Sequence, residues 1–109
     1  MSEKTFEVLQ PSGILDGVSA KELRTEIVEL LETKKPKPRS ILVDLQDVTF
    51  MDSAGLGALV SILKTVRFSG AEFCLCSLSE QVKIIFDLTK MEKVFKIVES
   101  RQEFEEKMI

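Results

Sequence analysis

The sequence predicts an α/β fold built on a largely parallel sheet of about four strands. Three features carry this expectation. Extended and helical hydrophobic periodicities alternate along the chain. The apolar runs at residues 40–45 and 72–77 lack clean in–out alternation, as strands covered on both faces do. Capping residues stand ahead of the helical stretches. With 109 residues, 44% of them hydrophobic, the chain can bury a core without metals or disulfides, and residues 1–109 are expected to form one domain.

Residues 5–10 (TFEVLQ) alternate around Phe6, Val8 and Leu9 and are stopped by Pro11-Ser12-Gly13, which makes them a short first strand. Ser19 and Glu22 have capping-box spacing, so a helix is expected from Ala20 to near Thr33, with Leu23, Ile27, Leu30 and Leu31 on one face. Lys34, Lys35, Lys37 and Arg39, interrupted by two prolines, form either a solvated connector or a small basic patch for an acidic partner or phosphate. Residues 40–45 (SILVDL) are the second strand, and residues 48–51 (VTFM) stay extended after the Gln46-Asp47 break. A helix then runs to about Phe68, packing through Leu56, Leu59, Val60, Leu63 and Val66. Its opposite stripe, Ala54, Ala58, Ser61 and Thr65 beside Lys64, is smooth and weakly charged. After Ser69-Gly70, residues 72–77 (EFCLCS) form a third strand, Ser79 caps a helix carrying Val82, Ile85, Phe86 and Leu88, and residues 95–98 (FKIV) form a fourth strand. Ser100 and Glu103 repeat the capping spacing ahead of a C-terminal helix with Phe104 and Met108. The predicted order is β-α-β-α-β-α-β-α, in which helical crossovers return parallel strands.

Composition narrows the function. With 15 Lys and Arg against 18 Asp and Glu, the formal charge of −3 argues against direct nucleic-acid binding, which needs excess positive charge. The absence of histidine removes the commonest general base and metal ligand, so no enzyme, metal or cofactor is expected. Cys74 and Cys76 face the same way on a strand, and one such pair does not make a zinc site. With no secretory signal, they read as buried, reduced thiols of a cytoplasmic protein. No apolar run approaches roughly 18 residues, so no membrane segment is expected.

The segment that carries chemistry is Met51-Asp52-Ser53-Ala54-Gly55-Leu56-Gly57, where a strand turns into a helix. Ser53 falls where the helix N-cap is expected, at the carboxyl edge of the sheet where α/β folds place ligands. Capping alone is the plain reading. A nucleophile elbow requires glycine two residues before the serine, where Met51 stands, and a triad requires histidine. A phosphate loop requires a fuller glycine pattern or a lysine than Gly55 and Gly57 supply. These two glycines read instead as permitting a tight strand-to-helix turn. The remaining reading makes Ser53 the substrate of another protein's kinase, with the phosphoryl group favoured by the helix N-terminus and opposed by Asp52.

From about Thr5 to Ser100, the chain resembles a STAS domain, specifically a stand-alone bacterial anti-sigma factor antagonist. The resemblance rests on Ile41-Leu42-Val43-Asp44-Leu45, on Phe50 through Gly57, and on Gly13-Ile14-Leu15-Asp16 followed by the helix with Leu23. It implies a sheet with helices mainly on one side and a regulatory phosphorylation at Ser53, with Asp16 beside it. It also implies partner switching. The unphosphorylated form binds an anti-sigma factor that is itself a serine kinase and so frees a sigma factor; phosphorylation ends the binding, and a metal-dependent serine phosphatase restores it. Asp16, Asp52, Ser53, Ala54, Gly55, Gly57, Ala58, Ser61 and Thr65 are the expected partner surface, unless that helix stripe is simply solvated. A STAS module serving as a stress-signalling scaffold, a phosphorelay partner or a nucleotide sensor is the alternative. The family opens with two strands before the Gly-x-Leu-Asp stretch, whereas this chain has room for one. Its first edge strand is therefore expected to be missing or shortened to residues 2–4, leaving an edge at which a weak homodimer can form.

Overall fold

Strand β3 (Ser40–Asp44) is buried along its whole length, and the molecule is arranged around it. The computed structural model describes residues 6–107. In chain order its other elements are β1 (Phe6–Leu9), β2 (Gly13–Leu15), α1 (Gly17–Thr33), β4 (Val48–Met51), α2 (Ser53–Phe68), β5 (Glu72–Cys76), α3 (Glu80–Leu88), a single 3₁₀ turn (Met91–Lys93), β6 (Lys96–Val98) and α4 (Arg101–Lys107). Four strands form a parallel sheet in the order β1-β3-β5-β6, with Val8 opposite Leu42, Leu42 opposite Cys74, and Cys74 opposite Lys96.

Strand periodicity divides the core between the two faces of this sheet. Leu9, Ile41, Val43, Phe73 and Leu75 belong to a cluster with Leu23 and Ile27 of α1, Leu59, Ile62 and Val66 of α2, and Val82 and Phe86 of α3. Leu42, Cys74, Cys76 and Val98 form a second cluster with Phe104 of α4, which meets Phe6 edge-on at a centroid distance of 5.1 Å. Three helices thus share the larger cluster, as expected for helices mainly on one side. Both cysteines are free and buried, and burial pushes the Cys74 thiol up to about 11 and the Cys76 thiol upward as well. No helix among the described residues is long and apolar enough to cross a membrane.

Two features depart from the sequence-based expectation. β2 and β4 pair with each other as a separate parallel ribbon, giving six strands in place of four. The break is local in origin: Asp44 Oδ1 accepts from the Gln46 amide at 3.0 Å, and Val48 N donates to Leu45 O at 3.0 Å, which turns the chain away from β3. Gly13, at φ 79°, then donates to Asp47 O at 2.9 Å and starts β2 beside β4. α1 begins three residues earlier than expected, because Asp16 and not Ser19 is its N-cap. Asp16 Oδ1 accepts from Val18 N (3.1 Å) and Ser19 N (3.0 Å), while Ser19 Oγ accepts from Asp16 N (3.0 Å). Ser79 caps α3 as expected, accepting from Val82 N at 3.3 Å. Ser100 Oγ accepts from Glu103 N at 3.1 Å, but the Glu103 carboxylate turns to the Glu99 amide instead of closing the box.

In the 34–39 connector, Lys34 pairs with Glu7 at 3.3 Å and Lys37 donates to Ser69 O, leaving Lys35 and Arg39 exposed. Among the described residues β1 has a strand on one side only; the expected remnant at residues 2–4 lies outside them.

A polar tie joins α4 to the sheet. Arg101 Nη2 reaches the buried Asp44 carboxylate at 3.3 Å and Gln10 Oε1 at 3.0 Å, and Gln10 donates to Asp47 at 2.9 Å. Removing the arginine leaves a buried carboxylate with one backbone donor. Arg101→Ala is expected to lower the unfolding free energy by about 1–2 kcal/mol in urea titrations. Arg101→Lys, which keeps the charge, is expected to recover part of that loss.

Candidate functional site

The β2–β4 ribbon ends with Leu15 opposite Met51, and each strand runs directly into an aspartate and then a helix. Asp16 caps α1 and Asp52 caps α2, so two helix N-termini emerge side by side from adjacent parallel strands. Asp52 Oδ1 accepts from Gly55 N at 2.8 Å, and Asp52 O accepts from Leu56 N at 3.0 Å, starting the helical hydrogen-bond ladder. Ser53 is therefore the first helical residue and not the expected N-cap. Asp52 occupies that role because its carboxylate reaches the N3 amide from an extended backbone, at φ −99° and ψ 179°. Ser53 is exposed, and its hydroxyl makes no hydrogen bond among the described residues.

Glycine roles at the site differ from the expected turn. Gly55 is buried inside the first turn of α2, where an added Cβ would lie 2.0 Å from Leu15 O and 2.8 Å from Leu15 C. It permits close approach of helix to strand. Gly57 is exposed and an added Cβ there meets nothing within 4 Å. The first turns of the two helices also lie close together, since a Cβ added at Gly17 would stand 3.6 Å from Ala54 Cβ.

The structure brings Asp16, Asp52, Ser53, Ala54 and Gly55 together at this end and runs Gly57 and Ser61 along an exposed ridge of α2. Ala58 and Thr65 are only half exposed, with Ala58 packed against the core, so the expected stripe is not wholly a free surface. The buried face of α2 includes Ile62, with Val60 at its margin.

The Ser19 amide, with help from the Ser19 hydroxyl, holds the Asp16 carboxyl below its ordinary value of 3.8. Asp16 thus stays a carboxylate at neutral pH, at the end of the ribbon from which Ser53 also starts. Three residues that sequence reasoning did not select lie close by in the fold. Ile14 and Phe50 are register partners on the ribbon, 56% and 50% exposed, and Val18 in the first turn of α1 is 72% exposed. Recognising residues 13–15 as a strand paired with β4 is the signal that leads to them. A recess of about 210 Å³ between α3 and β6, lined by Leu78, Phe86, Ile97 and Val98, shares no residue with the site.

The STAS domain model matches residues 3–104. The chain belongs to the STAS domain family. The anti-sigma-B factor antagonist of Bacillus subtilis (strain 168) is 35% identical over 86 residues, spanning 79% of this chain and 75% of its own. A candidate anti-sigma factor antagonist from Thermotoga maritima superposes with a TM-score of 0.81 at 30% identity, over 96% of this chain and 88% of that one. Bacillus SpoIIAA, an anti-sigma factor antagonist solved in its unphosphorylated form, superposes with a TM-score of 0.69 over 99% of this chain and 92% of its own. At 16% identity it bears on the STAS fold alone.

The two glycines of this STAS chain separate stability from surface. Gly55→Ala must push α2 off the Leu15 carbonyl, and is expected to cost at least about 2 kcal/mol in chemical denaturation. Gly57→Ala fits without contact and is expected to gain about 0.5–1 kcal/mol from helix propensity. Folding lowers the Asp16 pKa, so its stabilisation is present above the ordinary value and is lost as pH falls through the folded one. Asp16→Asn is expected to be less stable than the parent at neutral pH, with the gap closing in strongly acidic melts.

Proposed function

We propose that this chain is an anti-sigma factor antagonist whose binding to a serine-kinase anti-sigma factor is switched off by phosphorylation of Ser53. The observation that carries the reading is the division of roles at α2, where Asp52 caps the helix and leaves the neighbouring serine hydroxyl exposed and unbonded. A serine needed as the cap would have its hydroxyl engaged by a helix amide, whereas at α2 that amide is taken by Asp52 and the Ser53 hydroxyl is left open to a kinase. Membership of the STAS family and relatives named as anti-sigma-B factor antagonists support the same reading.

In this reading the kinase transfers the γ-phosphoryl group of ATP to Ser53 Oγ, leaving ADP, and a serine phosphatase returns the hydroxyl and inorganic phosphate by hydrolysis. The antagonist supplies a surface and a substrate side chain, and the catalytic groups belong to its partners. The phosphoryl group adds about −1.5 to −2 charge at neutral pH. The free helix amides soften that charge, whereas Asp52 and Asp16 oppose it, so the change acts on the contact surface more than on the fold. A loss of ~3 kcal/mol in binding is more than 100-fold in affinity. A nucleotide-sensing role is less well supported, because the recess between α3 and β6 is rimmed by Asp87, Glu92 and Glu99 against Lys83 alone. A weak homodimer through the edge of β1 is a separate proposal, tested by sedimentation at high concentration.

Incubation with Mg-ATP and the anti-sigma kinases of the same genome, followed by mass spectrometry, is expected to place a single phosphate on Ser53. Ser53→Ala is expected to melt with the parent and to keep partner binding, and Ser53→Glu to weaken it at least about tenfold. Absence of phosphate from Ser53 with every kinase, and in cells, would remove the switch.

A further inference from the structure

The α2 ridge lacks an anchor. Ser53, Ala54, Gly57 and Ser61 carry nothing larger than a hydroxymethyl group, whereas interfaces of ordinary size concentrate their binding in a few large, desolvated side chains. The exposed aromatic of α2 itself, Phe68, lies fifteen residues beyond Ser53, about 22 Å along the helix axis. Ile14 and Phe50 are far better placed. Phe50 is three residues before Ser53 and Ile14 two before Asp16, and their strand pairing sets the two side chains next to each other on the uncovered side of the ribbon. Val18, four residues after Ile14 in the first turn of α1, is a further exposed apolar side chain at this end.

Resting on the reading of Ser53 as the switch, we propose that Ile14, Phe50 and Val18 anchor the anti-sigma factor, which covers them with an apolar recess and lays a close-packed, uncharged stretch over Ser53 and Gly57. Ile14 and Phe50 lie one register position before the Leu15–Met51 end of the ribbon, from which α2 and Ser53 follow, so one partner surface can cover both. A second copy of the chain fits poorly as occupant. A second copy would add its own Asp16 and Asp52 to a contact that already holds these two carboxylates, and like charges within one contact are costly. The arrangement also explains why a phosphoryl group ends binding: it must be accommodated where the partner packs closest to the backbone.

The test is the affinity of the anti-sigma factor that phosphorylates Ser53, measured by calorimetry for the parent and five variants, one of them Ser53→Glu. Phe50→Thr keeps a strand-forming residue and is expected to weaken binding at least about tenfold, and Ile14→Thr at least about threefold. Leu88→Ser, at an exposed apolar position on α3, is expected to stay within about twofold of the parent. Should Phe50→Thr lower the melting temperature, Val18→Ser, on an exposed helical position, carries the same test. If the ribbon variants bind like the parent while Ser53→Glu still disrupts binding, the anchor is wrong and the switch stands. Silence of Ser53→Glu as well overturns both. A self-dimer that Phe50→Thr dissociates, with anti-sigma factor affinity unchanged, makes the ribbon a contact between copies and overturns the anchor.

Discussion

The geometry at the Ser53 end depends on how closely the first turn of α2 rests on the end of β2. Gly55 has no side chain, and the space a Cβ would need is occupied by the carbonyl of Leu15. That contact lets two parallel strands deliver two helices side by side, each started by its own aspartate. It also seats the buried face of α2, from Leu56 to Val66, in the main core. The site is therefore positioned by packed backbone rather than by a loop.

Charge is distributed in the same economical way. Asp16 and Asp52 each answer amides that a helix start leaves without partners, and in doing so they surround Ser53 with fixed negative charge. At the sheet itself Asp44 meets Arg101, which holds the short α4 over the cysteine-bearing face. The two groups of charges act on different sides of the central strand. Phe104, Leu42 and Cys74 belong to a cluster that contains none of the Ser53-end residues.

What could be read from the sequence is what local chemistry encodes. β3, β5 and β6, the run of α2 to Phe68, the Ser79 cap and the buried cysteines all follow from patterns within a few residues. β2 has three residues, and its partner lies far along the chain, so no periodicity announces it. At the starts of α1 and α2 the sequence offers both a serine and an aspartate, either residue type satisfies the same amides, and only the end of the preceding strand gives the cap to the aspartate. Gly55 looked like a turn residue because its real constraint, the Leu15 carbonyl, is forty residues away in the chain. The exposed pair Ile14 and Phe50 was hidden for the same reason.

The ridge of α2 that carries Ser53 is low in relief. Its exposed side chains end at a methyl group, a hydroxyl or a bare Cα until Lys64. On such a surface a phosphoryl group would stand as the tallest feature, so the proposed switch works through height as well as charge. A carboxylate placed at the same position copies the charge with a planar, smaller head. Acidic substitutions at Ser53 are then partial imitations, and the shape of the phosphate accounts for the remainder.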